Sequence, residues 1–340
     1  MNLTQKDHPI AIEVRNGELT QTQLILAKKT AAYEQASLSL NTRKSYGSAW
    51  KKFELWCLDN SCSPLPASAE TIALYLGSLG GQVSFSSLDS AIAAIEKTHE
   101  QRGLSISGDL NLYRRVRRGI RRTHKEKQSV RQAKALSVEE LSATVKGMGS
   151  TLKELRDKAL LTISFFGALR RSEAVALDIE QVEVSGKGLT ITLLQSKTSD
   201  TAVRVYLAPV CDKSICPVRA FKAWINEAGI SSGPLFRPIG KGGKLKAERL
   251  SGHAVATIMK ERFGSEYSGH SLRRGLATSA AETGTPITKI KAHTRHKSAD
   301  MVLRYIEQVE GFENTSAKSL GLCVHKKKKD LTPRGYQVNF

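Results

Sequence analysis

The chain has 340 residues, room for about two domains, and 52 Lys and Arg against 32 Asp and Glu leave a formal charge of +20. At 40% hydrophobic residues it can build packed cores, which excludes wholesale disorder. So large a basic excess points to a polyanion, with nucleic acid ahead of an anionic membrane surface.

Residues 1–22 are polar and mixed, read as an N-terminal arm without the apolar core of a secretory signal. The first strong helix is expected from Asn41, as its N-cap, to about Asp59, with Tyr46, Trp50, Phe53 and Cys57 on one face. Pro64 and Pro66 break the chain, and Ser68 can cap a second helix carrying Ile72, Leu74, Tyr75 and Leu76. A third holds Leu88, Ala91, Ile92 and Ile95 and stops at Gly103; a fourth runs from about Asp109 to Arg122. Residues 23–123 thus read as a small all-helical domain. A basic linker follows over 124–134. From Arg114 to Lys134 ten cations (Arg114, Arg115, Arg117, Arg118, Arg121, Arg122, Lys125, Lys127, Arg131 and Lys134) face the single acid Glu126. Solvated helix faces usually mix signs, so this run reads as a phosphate-contacting segment.

A capping box, Ser137 with Glu140, opens a second domain over 135–323. A helix from about Lys153 to Gly167 is apolar on most of its surface. Its longest apolar run, near Leu160 to Leu169, is interrupted by Thr162 and Ser164 and falls well short of the roughly twenty residues of a membrane span. Leu189 to Leu194 and Ala202 to Leu207 read as strands joined by the polar turn Gln195 to Asp200. Helical patterns resume at Cys216 to Ala228, at Ser251 to Phe263 and from Ser271 onward, and 324–340 is a basic tail with Lys326 to Lys329. The five cysteines (Cys57, Cys62, Cys211, Cys216 and Cys323) are an odd count that argues for a reducing compartment. The pairs Cys57/Cys62 and Cys211/Cys216 lack the second pair of ligands that a zinc finger needs.

Three clusters carry candidate chemistry. In Gly167-Ala168-Leu169-Arg170-Arg171-Ser172-Glu173, charges end an apolar helix, where an unpartnered charge is expensive, and Glu173 lies three residues after Arg170. Read alone, that is equally a structural ion pair. His270 and Arg273 share the i, i+3 spacing, which is weak by itself: His99 and Arg102 repeat it and read as a surface helix end. The third cluster is His293-Thr294-Arg295-His296-Lys297-Ser298, then Met301, Leu303, Arg304 and Tyr305, with Ser298 as the cap of a short helix. No carboxylate or cysteine completes a metal site with its histidines. Together, two arginines, a hairpin lysine (Lys197), two histidines and a tyrosine match the needs of phosphoryl transfer. Guanidinium groups neutralise the non-bridging oxygens of the transition state. A phenol with pKa near 10 must lose its proton as it attacks, and a lysine can protonate the leaving oxygen. A covalent phosphotyrosine conserves the energy of the ester, so rejoining needs no nucleotide.

These motifs resemble the tyrosine recombinase/integrase family. Its arginine box is matched by Gly167 and Leu169-Arg170-Arg171-Ser172-Glu173, with one extra residue after the glycine. His270 and Arg273 match His-x-x-Arg, and Lys197 the Ser-Lys-Thr of its hairpin. His296 is the one histidine followed nine residues later by a tyrosine, Tyr305. Asn41-Thr42, Tyr46, Trp50, Phe53 and Trp56-Cys57 resemble the opening helix of the family's core-binding domain, and Arg43 on that helix joins the expected DNA contacts. The spacing to Glu173 and His270 selects Arg170 and Arg273 over their neighbours Arg171 and Arg274. Arg295 departs from the family, which usually has glycine before that histidine.

The resemblance implies a mainly α protein with a small β-sheet: a two-domain DNA clamp of helical core-binding domain and α+β catalytic domain. Arg170 and Arg273 would clamp the scissile phosphate, Lys197 protonate the leaving oxygen, His270 act as acid and base, His296 hydrogen-bond the phosphate, Glu173 orient Arg170, and Tyr305 form a 3′-phosphotyrosine. Four protomers would exchange strands through a Holliday junction at specific sites in duplex DNA, with no metal or nucleotide cofactor, and Ser316 to Leu322 would pack on a neighbour. The free chain would be a monomer or weak oligomer, cytoplasmic and nucleoid-associated, open to an accessory or directionality protein. The rival enzyme is a type IB topoisomerase, which shares the chemistry. The non-enzymatic rivals are a duplex-DNA-binding relative and an RNA-binding protein. For the last, 6% aromatic residues offer little stacking surface.

Overall fold

A computed structural model describes residues 20–125, 133–194, 202–296, 298–300 and 302–303. The chain divides into two compact units, Met1–Arg131 and Gln132–Phe340.

The first unit is helical: α1 (Gln21–Ala36), α2 (Leu40–Asp59), α3 (Ala69–Leu79), α4 (Phe85–Gln101) and α5 (Leu110–Thr123). Ser68 caps α3 as the sequence suggests, and Asp109, read only as the approximate start of the helix, caps α5. The cap of α2 is Ser39 rather than Asn41: its hydroxyl accepts from the Thr42 N–H. Phe53, Cys57, Ile72, Leu76, Leu88, Ile95 and Tyr113 close the core, with Trp50 and Trp56 packed at its margin. His99 is a correction. It is buried, not at the surface; its Nε2 accepts from the Ala67 N–H at 2.9 Å and its Nδ1 meets the Ile95 carbonyl at 2.8 Å. It continues the apolar stripe Leu88–Ala91–Ile95 by one turn, and both ring nitrogens are satisfied locally.

The second unit begins with α6 (Val138–Gly147), opened by the expected Ser137/Glu140 capping box. Next comes α7 (Leu152–Phe166), whose buried side chains serve two cores. Leu160 and Ile163 join the larger one, Leu161 and Phe165 the smaller. The carboxylate of Asp157, fully buried, accepts from Arg156 at 2.6 Å and from Arg262 at 2.9 Å. A short helix, α8 (Arg171–Ala176), leads to strands β1 (Val182–Ser185), β2 (Gly188–Leu193) and β3 (Val203–Leu207). Among the described residues they form one antiparallel sheet in the order β1-β2-β3. Leu189, Ile191, Leu193, Val205 and Leu207 turn into the large core, as period-two alternation requires. The turn between β2 and β3, with Lys197, lies outside the described residues.

Four more helices follow: α9 (Pro217–Ala228), α10 (Gly252–Phe263), α11 (Ser271–Glu282) and α12 (Ile287–Thr294). The Trp224 indole N–H donates to the Leu235 carbonyl at 2.8 Å, so this fully buried ring fills the core without an orphaned donor. No described helix is long and apolar enough to cross a membrane.

Candidate nucleic-acid strand-transfer site

The site grows from the place where α7 stops. Gly167 caps the helix and Ala168 follows with φ of +44°. The chain therefore turns before Arg170, which is the N-cap of α8 rather than a residue at the end of α7. That corrects the expected helical i, i+3 pairing. Glu173 reaches back to the Arg170 backbone N–H at 2.9 Å, as in a capping box, while its other oxygen accepts from Arg170 Nη1 at 2.5 Å. Glu173 is buried, and burial alone would raise its pKa. The Arg170 backbone N–H, Arg295 and the Arg170 guanidinium outweigh it, and the carboxyl titrates below its usual value.

Arg273 comes from α11 and is 1% exposed. Its Nη1 donates to the Ala168 carbonyl at 2.8 Å and its Nε to His296 Nε2 at 3.3 Å. His296 follows α12 and is also buried. Its Nδ1 lies 2.7 Å from Thr294 Oγ1, and that hydroxyl donates to the Ile290 carbonyl at 2.7 Å. One proton arrangement satisfies the whole line: Arg273 donates to Nε2, Nδ1–H donates to Thr294, and Thr294 donates to the backbone. The neutral ring fits its electrostatics. Burial first, then Arg273, Arg170, His270 and Arg295, push its pKa down to about 4.

His270 is the N-cap of α11, and the residue is exposed. Its pKa is lowered too, by partial desolvation and then by Arg273, Arg274 and Arg170. Three elements thus bring Arg170, Glu173, His270, Arg273 and His296 to one place. Lys197 and Tyr305 lie outside the described residues. The chain is described as far as Leu303, and the Ala299 carbonyl accepts from the N–H groups of Val302 and Leu303, opening a helical turn.

Arg295, noted in the sequence only as a departure from the family's glycine, is the residue whose part in the site the sequence did not suggest. It takes the left-handed conformation, φ 56° and ψ 44°, at the end of α12, a position that suits glycine. Its Nη2 nevertheless donates to Glu173 at 2.9 Å and to the Ala168 carbonyl at 3.0 Å. A glycine position filled by arginine was the available signal. Arg171 is exposed, and its aliphatic stem passes Gly269, where a Cβ would meet it at 3.0 Å. Arg274 donates to the Ala133 carbonyl. Neither joins the Arg170–Glu173 pair.

The expected DNA contacts separate into two groups. Asp89 accepts from Arg117 at 2.6 Å and Arg121 at 2.5 Å, Asp109 from Arg115 at 2.9 Å, and Glu140 from Lys134 at 2.6 Å. Arg43, Arg114, Arg118, Arg122 and Lys125 are exposed and, among the described residues, have no acidic partner. Lys127 and Arg131 lie outside the described residues. Among the described residues no group of three or more His, Cys, Asp or Glu could hold a metal ion. Arg170, Arg273, His270 and His296 form a cationic, partly buried cluster suited to an anion that accepts several hydrogen bonds.

Residues 134–310 match the Phage integrase family. The chain is 32% identical over 315 residues to the integrase/recombinase XerD homolog of Selenomonas ruminantium, covering 89% of this chain and 92% of that one. It is 23% identical to the recombinase Cre of Escherichia phage P1 over 82% of this chain and 87% of Cre. Among solved structures, the XerH site-specific recombinase bound to difH superposes with a TM-score of 0.57 at 17% identity, over 90% of this chain and 86% of XerH. The Tn1549 transposon integrase reaches 0.56 at 11% identity, over 86% and 98%. The chain belongs to the phage integrase family of tyrosine recombinases.

Proposed function

We propose that this protein is a site-specific recombinase that cuts and rejoins duplex DNA through a covalent 3′-phosphotyrosine, with strands exchanged through a Holliday junction. The observation that carries the reading is the convergence of Arg170, Arg273 and His296 on one buried cluster around Glu173 and the Ala168 carbonyl. Guanidinium groups held in place by protein acceptors need no reorganisation when charge develops on a phosphate.

In this reading the Tyr305 oxygen attacks the scissile phosphorus. The bond from phosphorus to the 5′ oxygen breaks, and Lys197 supplies that oxygen's proton. Arg170 and Arg273 hold the non-bridging oxygens, and Glu173 fixes the first of them. His270, at the open edge of the site, takes the phenol proton as Tyr305 attacks and returns it when the step is reversed. His296, neutral and bonded to Arg273, first steadies that arginine. A phosphate beside it raises its pKa; a proton taken up at Nε2 ends the bond from Arg273 Nε, so that arginine turns to the phosphate and the new N–H is free to do the same. Attack of another strand's 5′ hydroxyl on the phosphotyrosine reverses the step and reseals the backbone, so no nucleotide is consumed. The partners are duplex DNA carrying recombination sites and three further copies of the chain, in a cytoplasmic, nucleoid-associated setting.

A nicked suicide duplex tests this directly. The wild-type chain should form a covalent adduct in the presence of a metal chelator, and Tyr305→Phe should abolish it. An adduct from the Phe variant, or cleavage only with magnesium, would overturn the assignment. Efficient relaxation of supercoiled DNA lacking any specific site, without strand exchange, would instead identify a topoisomerase.

A further inference from the structure

Arg295 stands in a conformation that disfavours any residue with a Cβ. Something must hold it there, and four side-chain hydrogen bonds do. Nη1 donates to the carbonyls of Gly167 at 3.1 Å and His293 at 3.0 Å, and Nη2 to Glu173 and Ala168. Its own backbone carbonyl accepts from Arg170 Nη2 at 3.1 Å. The residue therefore touches the supports of both candidate phosphate-binding arginines. Glu173 lies between Arg295 and Arg170, and the Ala168 carbonyl lies between Arg295 and Arg273. A glycine here would relax the backbone and keep the carbonyl. It would also remove all four donated bonds and leave a buried carboxylate with one guanidinium instead of two.

We propose that Arg295 is a positioning residue, a clip that locks the Arg170–Glu173 pair and the Ala168 carbonyl holding Arg273 into one unit before DNA arrives. Both of its terminal nitrogens are engaged by protein oxygens, so it acts through its neighbours and not on the reacting phosphate. A planar guanidinium suits the task because it reaches a carboxylate and three carbonyls in one plane, which an ammonium cannot do. The catalytic consequence rests on the recombinase reading above; the clip itself does not.

The test has one arm without DNA and one with it. Glu173 is faced by two charged groups, the guanidiniums of Arg170 and Arg295, and by the Arg170 N–H. Carbon-13 NMR of the carboxyl groups in the free protein should show the Glu173 pKa rising in Arg295→Gly, and much less in Arg295→Lys, which keeps the charge. With the suicide duplex, Arg295→Gly should slow single-turnover cleavage roughly 10- to 100-fold, as small misplacements of positioned groups do, while duplex affinity stays within about twofold. The acid limb of its rate profile should move to higher pH together with the Glu173 titration. Arg295→Lys should recover part of the rate. An unmoved Glu173 titration, or wild-type cleavage by Arg295→Gly, would overturn the proposal. If Arg295→Gly does not fold, Arg295→Lys and Arg295→Gln decide the same two readings. If the wild-type chain forms no adduct, the recombinase reading fails, and the titration alone still decides whether Arg295 is a clip.

Discussion

His296 has its proton fixed by geometry: Arg273 donates to one ring nitrogen and Thr294 accepts from the other. Its folded pKa of about 4 lies below the ordinary 6.5. The unfolded chain therefore takes up a proton at this residue before the folded one does, and stability falls as pH drops from 6.5 toward 4. The gap of 6.5 − 4 corresponds to about 3 kcal/mol when fully expressed, and the lowered pKa of His270 adds in the same direction. Urea denaturation between pH 7.5 and 4 should show this loss, and His296→Gln should remove one proton from the slope. A variant with the wild-type slope would show that His296 is not the titrating group. At this scale the sequence displayed the site's residue types and spacing, but not their roles in folding. Arg170 and Glu173 looked like neighbours on a helix face; a left-handed Ala168 makes them a cap instead. Arg295 looked like a departure from pattern: the glycine expected there hints at a left-handed conformation, but not at the bonds that hold an arginine in it.

Elements were legible where a side chain visibly stops or starts them. Ser68, Asp109 and the Ser137/Glu140 box are short-range chemistry, and each sits where the sequence puts it. Besides α8, which the sequence merged with the end of α7, two elements had no visible signal. In α1 the apolar residues lie on several sides, with Ile25, Leu26 and Tyr33 exposed while Ala27 is buried, so no periodicity marks it. Strand β1 is a short edge strand, largely exposed, so only its pairing with β2 defines it. Pairing also explains Gly275, a helical glycine with no conformational need to be one. Its neighbours Ser271 and Arg274 bond the incoming segment through Leu136 N–H to the Ser271 carbonyl, 3.1 Å, and through Arg274 to the Ala133 carbonyl. A Cβ on Gly275 would lie 1.9 Å from the Leu136 carbonyl oxygen and 2.9 Å from the Phe165 ring. Alanine would normally gain about 1 kcal/mol in a helix. Here the backbone of the 133–137 segment must move, a change of the overpacking kind that typically costs 1–3 kcal/mol or more. Gly275→Ala should therefore destabilise the protein by up to about 2 kcal/mol net, read as a lower denaturation midpoint. A gain in stability would mean that the segment yields freely.

For the whole molecule, a formal charge of +20 sets how it meets a polyanion, yet charge counted from sequence overstates what is available for binding. Along α5 the chain places arginines on several faces, and the structure neutralises some of them. Arg117 and Arg121 share Asp89, and Arg115 holds Asp109. Arg114, Arg118 and Arg122 recur every fourth residue, which puts them on one stripe of the helix. Neutralising a DNA phosphate releases a counterion and contributes about 0.9 to the slope of log affinity against log salt. Replacing Arg114, Arg118 and Arg122 with glutamine should flatten that slope by up to about 3, with weaker binding to every duplex regardless of sequence. Replacing Arg115, Arg117 and Arg121 should change the slope far less. Those residues are tied to carboxylates that would be freed by the change, and surface pairs of this kind carry only about 0–1 kcal/mol of stability each. Fluorescence anisotropy across a salt series compares the two triple variants directly. Equal flattening in both would mean that the ion pairs open on binding and that the helix presents all of its arginines to the phosphates.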